Sequence, residues 1–209
     1  MIEVLITDDH PLMREGIKKV INGEIDIEVI GEAQNGGKAL SLLRDKLPDL
    51  LILDITMPGK SGLDLLKNIQ HEFLELPVLI LSIHPARRFA LRALQAGARG
   101  YLCKSSISVE LVSAIRQIVQ QKRKYITPEV AQLLAGQFDE EASRHETLSD
   151  REFEVLLMIA QGLTISKIAT ELNLSSHTIH TYRARIKEKM HLASNVEMTR
   201  YAINNGLVD

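Results

Sequence analysis

Asp8 and Asp9 stand at the end of one short apolar run, Ile2-Glu3-Val4-Leu5-Ile6-Thr7, and Asp54 ends another, Leu50-Leu51-Ile52-Leu53. Two later runs end in Ser82 and in Lys104. If these runs are parallel strands, three carboxylates, a hydroxyl and an ammonium gather at one rim of a sheet. That rim is where open α/β folds bind ligands. Crowded carboxylates raise one another's pKa and cost stability, and a divalent cation relieves the repulsion. Magnesium takes one or two carboxylates, waters and a phosphate oxygen. An aspartate beside it can attack phosphorus as a carboxylate nucleophile. The set therefore points to phosphoryl transfer, with Asp54 as nucleophile, Asp8 and Asp9 on Mg2+, and Lys104 and Ser82 on the phosphoryl oxygens. Each residue alone is ordinary, since an Asp after a strand is usually a turn former or cap. The needed groups recurring at four strand ends in order carry the reading.

The elements that must position these groups are visible in the pattern. Apolar runs near 3–7, 27–31, 49–54, 77–82 and 99–103 alternate with amphipathic stretches near 11–22, 36–46, 62–72, 86–96 and 107–122. Five such repeats predict a doubly wound α/β domain around a parallel five-stranded sheet. Val, Ile and Leu fill the runs at 50–53 and 78–81, as in strands buried on both faces. After Thr127-Pro128, a good N-cap and first helical residue, a short helix is expected to Leu134 or Ala135. Residues 136–146 then carry a run of acids and no apolar period, which reads as a solvated linker. Beyond it only helices are expected, near 149–161, 164–172, 176–190 and 195–205.

Composition narrows the classes. The chain has 209 residues, is 45% hydrophobic and 25% charged, and has a net charge of -2, so no global field points to nucleic acid or membrane. No apolar stretch is long enough to span a bilayer, and the N-terminal run reads as a strand and not as a signal peptide. Cys103 is the only cysteine, which excludes an internal disulfide. A reducing cytoplasm is the expected location.

A second pattern lies in residues 164–190. Ile165, Ile168, Ala169 and Leu172 recur at helical spacing and make one apolar face. Asn173-Leu174-Ser175 is a short turn, with Ser175 or Ser176 available to cap the next helix. On that helix Ile179, Tyr182, Ile186 and Met190 share one side, while His177, His180, Thr181, Ala184 and Glu188 lie opposite, flanked by Arg185 and Lys187. A helix that reads DNA needs this division between a packed face and a hydrogen-bonding face bordered by cations. The net charge of zero over 148–209 is the one feature favouring a protein-binding output instead.

These segments carry a resemblance. Asp8-Asp9-His10-Pro11-Leu12-Met13-Arg14-Glu15-Gly16, Leu53-Asp54-Ile55-Thr56-Met57-Pro58-Gly59-Lys60-Ser61-Gly62 and Ala96-Gly97-Ala98-Arg99-Gly100-Tyr101-Leu102-Cys103-Lys104 look like a response-regulator receiver domain of flavodoxin-like fold. Leu148-Ser149-Asp150-Arg151-Glu152-Phe153-Glu154-Val155-Leu156, Gly162-Leu163-Thr164, Thr178-Ile179 and Lys189-Met190 resemble the all-α LuxR-type helix-turn-helix domain. The whole chain is similar to the NarL/FixJ family of two-component regulators: a receiver in 1–122, a linker with a short helix in 123–146 and a helix-turn-helix domain in 147–209.

The resemblance implies that a sensor histidine kinase phosphorylates Asp54. Asp9 would bind Mg2+ directly and Asp8 mainly through water, with the backbone carbonyl of Thr56 as a further ligand. Ser82 and Tyr101 match the positions that switch on phosphorylation, and Thr56 and His84 those that tune dephosphorylation. The receiver would catalyse only its own phosphotransfer and autodephosphorylation. The output would be control of transcription through a double-stranded DNA operator, with a homodimer formed on phosphorylation and RNA polymerase as a further partner. His180 and Thr181 are the base-contact candidates, with His177 beside them; Arg183, Arg185, Lys187 and Lys189 are expected at phosphates. Val196, Thr199, Ala202 and Ile203 lie on the helix that would pair two such domains. Three departures stand out. Ser105 follows Lys104 where many receivers have proline, so a cis peptide is not expected there. His180 stands where lysine is frequent, and Tyr182 where histidine is frequent. A phosphatase of the haloacid-dehalogenase type would place an acid two residues after its nucleophile, where this chain has Thr56.

Overall fold

The computed structural model describes residues 1–57, 61–136 and 144–208 and divides into two compact units, Met1–Ala135 and Gly136–Asp209. The acidic stretch of the expected linker lies mostly outside the described residues.

In the first unit five parallel strands, β1 (Ile2–Thr7), β2 (Ile27–Ala33), β3 (Leu50–Asp54), β4 (Val78–Ser82) and β5 (Gly100–Cys103), lie in the order β2-β1-β3-β4-β5. The helices α1 (Pro11–Ile21), α2 (Gly36–Asp45), α3 (Gly62–Glu72), α4 (Ala86–Gln95) and α5 (Ile107–Val119) alternate with them. The chain runs outward from β1 to β2, then crosses to β3 on the other side. The ends of β1 and β3 therefore flank the switch point, where such sheets leave a crevice. Every residue of β3 and β4 is buried, which is why both read as unbroken apolar runs. Ile17 and Ile21 of α1 and Leu111, Ala114 and Ile115 of α5 cover one face of the sheet, over Val4, Ile6 and Ile52.

Boundaries differ from the sequence reading where local chemistry intervenes. β2 runs on to Ala33, through a register shift between Val4 and Leu5 of its partner β1. α5 ends at Val119 and not near 122, because Lys122 turns left-handed (φ 53°) and the Gln117 side chain donates to the Lys124 carbonyl. The chain then lies beside β5: Tyr125 bridges Gly100 and donates its hydroxyl to Glu110. Helix α6 (Pro128–Gly136) starts as expected, with Thr127 Oγ1 accepting from the Val130 N–H. No cis peptide occurs among the described residues.

In the second unit all four helices follow the expected segments: α7 (Asp150–Ala160), α8 (Ile165–Glu171), α9 (Ser176–Met190) and α10 (Asn195–Asn204), after a short 3-10 turn at Arg144–Thr147. Each of the four starts on a hydroxyl cap, at Ser149, Thr164, Ser175 and Ser194. At α7 the cap is reciprocal, because Glu152 also accepts from the Ser149 N–H at 2.8 Å.

Candidate functional site

The rim of the first unit brings the acids together. One donor atom each from Asp8, Asp9, His10 and Asp54 lies within 4.8 Å of the others. Lys104 Nζ sits between two of them, 2.6 Å from Asp8 Oδ2 and 2.7 Å from Asp54 Oδ2. Asp8, Asp54 and Lys104 are almost completely buried, so this is a desolvated ion cluster. Burial pushes the Asp54 carboxyl up to about 6 against the pull of Lys104, and the Asp8 charge adds to the rise. Burial alone would lower the Lys104 ammonium, but Asp54 and Asp8 outweigh it and raise it. Asp54 Oδ1 accepts from the Thr56 N–H at 3.1 Å, which aims the carboxylate.

Backbone packing fixes the strand end. The Gly62 N–H donates to the Ile55 carbonyl at 2.8 Å, and a Cβ at residue 62 would meet the Asp54 carbonyl oxygen at 2.2 Å. Only glycine allows the start of α3 to lie this close to the turn after Asp54.

Ser82, His84, Thr56 and Tyr101 form a second layer. Ser82 Oγ accepts from the His84 N–H at 3.1 Å, and the Tyr101 hydroxyl donates to the His84 carbonyl at 2.8 Å. His84 Nε2 lies 3.2 Å from Thr56 Oγ1. Burial, helped by Arg88 and Lys104, pushes the His84 imidazole down to about 4, so it is neutral at pH 7. Burial also pushes the Tyr101 phenol up. Tyr101 is thus folded inward on the loop that follows β4.

Two residues at this rim escaped the sequence reading. Arg14 donates from Nη1 to the Asp8 carbonyl at 2.7 Å and pairs through Nε with Glu32 at 3.1 Å. His10 turns its ring to the acids, with Nδ1 2.8 Å from Asp9 Oδ1. Both come from the first turns of α1, and reading strand ends alone does not reach them.

The donor set fits a hard cation. It gathers carboxylate oxygens of Asp8, Asp9 and Asp54 at one point, and like charges this close are costly unless something positive offsets them.

In the second unit α8 and α9 form a helix-turn-helix. Asn173 at the turn is left-handed (φ 51°), the Leu174 N–H donates to the Ala169 carbonyl, and Ser175 Oγ accepts from the Thr178 N–H. Ile179, Ile186 and Met190 of α9 are buried. His177, His180, Ala184 and Arg185 are exposed; Thr181, Arg183 and Lys187 are half-buried. The Thr181 hydroxyl donates to the His177 carbonyl of its own helix. Lys189, expected at a phosphate, pairs with Glu152 at 2.6 Å and ties α9 to the cap of α7 while its side chain stays 40% exposed. On α10, Val196 and Ile203 are exposed and Thr199 is half-buried. Ala202, grouped with them for pairing, is fully buried and offers no surface, because the i+4 step from Met198 keeps it on the packed side.

A buried acid rim held by a lysine on a flavodoxin-like sheet, followed by a helix-turn-helix unit, defines a class of protein. Comparison with known proteins agrees with it. Residues 4–116 match the response regulator receiver domain, and residues 146–202 match the bacterial regulatory proteins of the luxR family. The chain is 37% identical to the response regulator UvrY of Escherichia coli strain K12 over 210 residues, covering 99% of this chain and 96% of that protein. It is 37% identical to the response regulator GacA of Pseudomonas aeruginosa, covering 100% and 99%. Among solved structures it is similar to RcsB from Salmonella enterica serovar Typhimurium bound to promoter P1flhDC in the presence of the phosphomimetic BeF3-. That match has a TM-score of 0.62 and 26% identity, and covers 96% of this chain and 97% of that one. The chain belongs to the NarL/FixJ family of two-component response regulators, which join a receiver to a LuxR-type domain.

Proposed function

We propose that phosphorylation of Asp54 by a sensor histidine kinase controls DNA binding by the second unit. The observation that carries this is the buried Asp54 carboxylate at the end of β3, aimed by the Thr56 N–H and held 2.7 Å from Lys104 beside the Asp8-Asp9 pair. An Asp54 oxygen attacks phosphorus, the P–N bond of the donor phosphohistidine breaks, and its electron pair leaves on the imidazole, which takes a proton. The product is an acyl phosphate. Asp8, Asp9, Asp54 and the Thr56 carbonyl would hold Mg2+, which when bound neutralises the phosphoryl oxygens. Lys104 balances the charge now shared with Asp8 and Asp54, and Ser82 donates its hydroxyl to the same group. Losing Ser82 as acceptor frees the loop at His84, and with it the carbonyl that holds Tyr101. That gives a two-state element for the switch. Thr56 and neutral His84 border the path of water to the acyl phosphate and tune its hydrolysis. The receiver turns over no other substrate.

The DNA reading rests on α9. His180, His177 and Thr181 face outward for base edges, and Arg183, Arg185 and Lys187 for phosphates. Val196 and Ile203 leave an apolar strip on α10 that suits a homodimer on a two-fold operator. RNA polymerase is the expected further partner and the cytoplasm the expected location; no helix among the described residues is long and apolar enough to cross a membrane. Incubation with acetyl phosphate and magnesium should add one phosphoryl group by intact mass, and none to Asp54→Asn. Equal labelling of that variant refutes the assignment.

A further inference from the structure

His10 occupies the N-cap position of α1, yet its side chain makes no capping hydrogen bond. A cap of Ser, Thr, Asp or Asn would satisfy a free N–H of the first turn. The imidazole turns instead into the acid cluster. Its Nδ1 lies 2.8 Å from Asp9 Oδ1 and 3.4 Å from Asp8 Oδ1. Nδ1 thus faces the carboxylate oxygens of the cluster across a close contact. A neutral imidazole and carboxylates gathered at one point are a donor set that a shared cation can take. Donors bound to one small cation lie at most roughly 4.2 Å apart, twice a bond of about 2.1 Å. The four donor atoms here span at most 4.8 Å, so small side-chain movements would close the shell.

Resting on the reading of this rim as a cation site, we infer that His10 supplies a nitrogen ligand and alters which metal the receiver prefers. Magnesium is hard and favours oxygen. Imidazole suits nickel, zinc, copper and iron. A set of carboxylates with one imidazole therefore favours the nitrogen-accepting divalent ions more than carboxylates alone do. The imidazole must be neutral to bind, so metal binding displaces any proton it carries. His10 is largely exposed, and replacing it leaves the core untouched.

The test uses the full chain stripped of metal, as wild type and His10→Gln, with thermal melts to establish that both fold. Calorimetry measures magnesium and nickel affinities, counting only nickel that magnesium displaces. Losing even an outer-shell partner typically costs about 10–100-fold in metal affinity, so His10→Gln should weaken nickel by at least roughly tenfold and leave magnesium little changed. Pulsed electron paramagnetic resonance of the manganese(II)-loaded chain should show nitrogen-14 coupling in wild type and none in His10→Gln. An unchanged nickel-to-magnesium ratio, or nitrogen coupling that is absent from wild type or survives in the variant, overturns the inference while the magnesium site stands. If wild type binds neither ion, the cation-site reading falls with it.

Discussion

Gly62→Ala should damage the receiver more than any other single methyl addition at a described glycine. The new Cβ would lie 2.2 Å from the Asp54 carbonyl oxygen, 2.6 Å from Ile55 Cα and 2.8 Å from the Ile55 carbonyl oxygen. All three are backbone atoms, so no rotamer change relieves the contact. Overpacking typically costs about 1–3 kcal/mol, and three backbone contacts this short put the cost at roughly 3 kcal/mol or above. For a domain of this size each kcal/mol lowers Tm by roughly 3–5 °C, giving a fall of about 10–15 °C. The control is Gly16→Ala, in the middle of α1, where nothing lies within 4 Å. Alanine there should stabilise by roughly 0.5–1 kcal/mol. Thermal unfolding followed by circular dichroism compares the two. Phosphoryl acceptance should fall in Gly62→Ala alone, because the strand end that aims Asp54 must shift. If Gly62→Ala melts as high as Gly16→Ala and is labelled normally, the close approach does not position Asp54.

Other outcomes follow from the second unit. Burial pushes the Glu152 carboxyl up, but Lys189 and the Ser149 hydrogen bonds outweigh it and hold it below its ordinary value of 4.5. A depressed folded pKa means the stabilisation is fully present above 4.5 and is lost as pH falls through the folded value. Glu152→Gln should thus be less stable than wild type at neutral pH and converge with it in acid; a constant gap down to about pH 3 contradicts this. Arg185→Ala should weaken specific and non-specific DNA binding alike and reduce the salt slope by about 0.9. His180→Ala should keep the salt slope and relax preference at one or two base positions. Identical behaviour of the two variants would erase the distinction between phosphate and base contacts.

The receiver's architecture is legible because parallel strands buried on both faces read as apolar runs, and because Pro48, Met57-Pro58-Gly59 and Pro77 punctuate them in the sequence. Asp8, Asp9, Asp54 and Lys104 are legible as a group because each ends a strand of one sheet. The cap of α9 is open between Ser175 and Ser176 in the sequence, and the structure takes Ser175; that of α7, Ser149 with Glu152, is equally local in sequence but escaped the sequence reading. Contacts that cross the chain are not legible in this way. The Lys189–Glu152 pair joins residues 37 positions apart, and the Thr56–His84 pair 28 apart. Neither separation has a period, so each depends on how helices or loops meet in space. The bridge of Tyr125 to Gly100 is hidden for a similar reason: its cue is a missing side chain on β5, which leaves Tyr125 Cβ 3.1 Å from where a Cβ would be. Ala202 shows the converse error, since being small on a helix does not say which face it is on.

The coupling between the two units carries the central claim, and operator binding by the full chain tests it most directly. Affinity is measured for wild type and Asp54→Asn, each with and without beryllofluoride and magnesium, at one fixed salt concentration. A useful switch needs a coupling of about 1–3 kcal/mol. Wild type should therefore bind roughly 5–150-fold more tightly when beryllofluoride is present, while Asp54→Asn stays at the unmodified level. Equal affinity of wild type in both conditions, or the same gain in Asp54→Asn, contradicts control of DNA binding through Asp54.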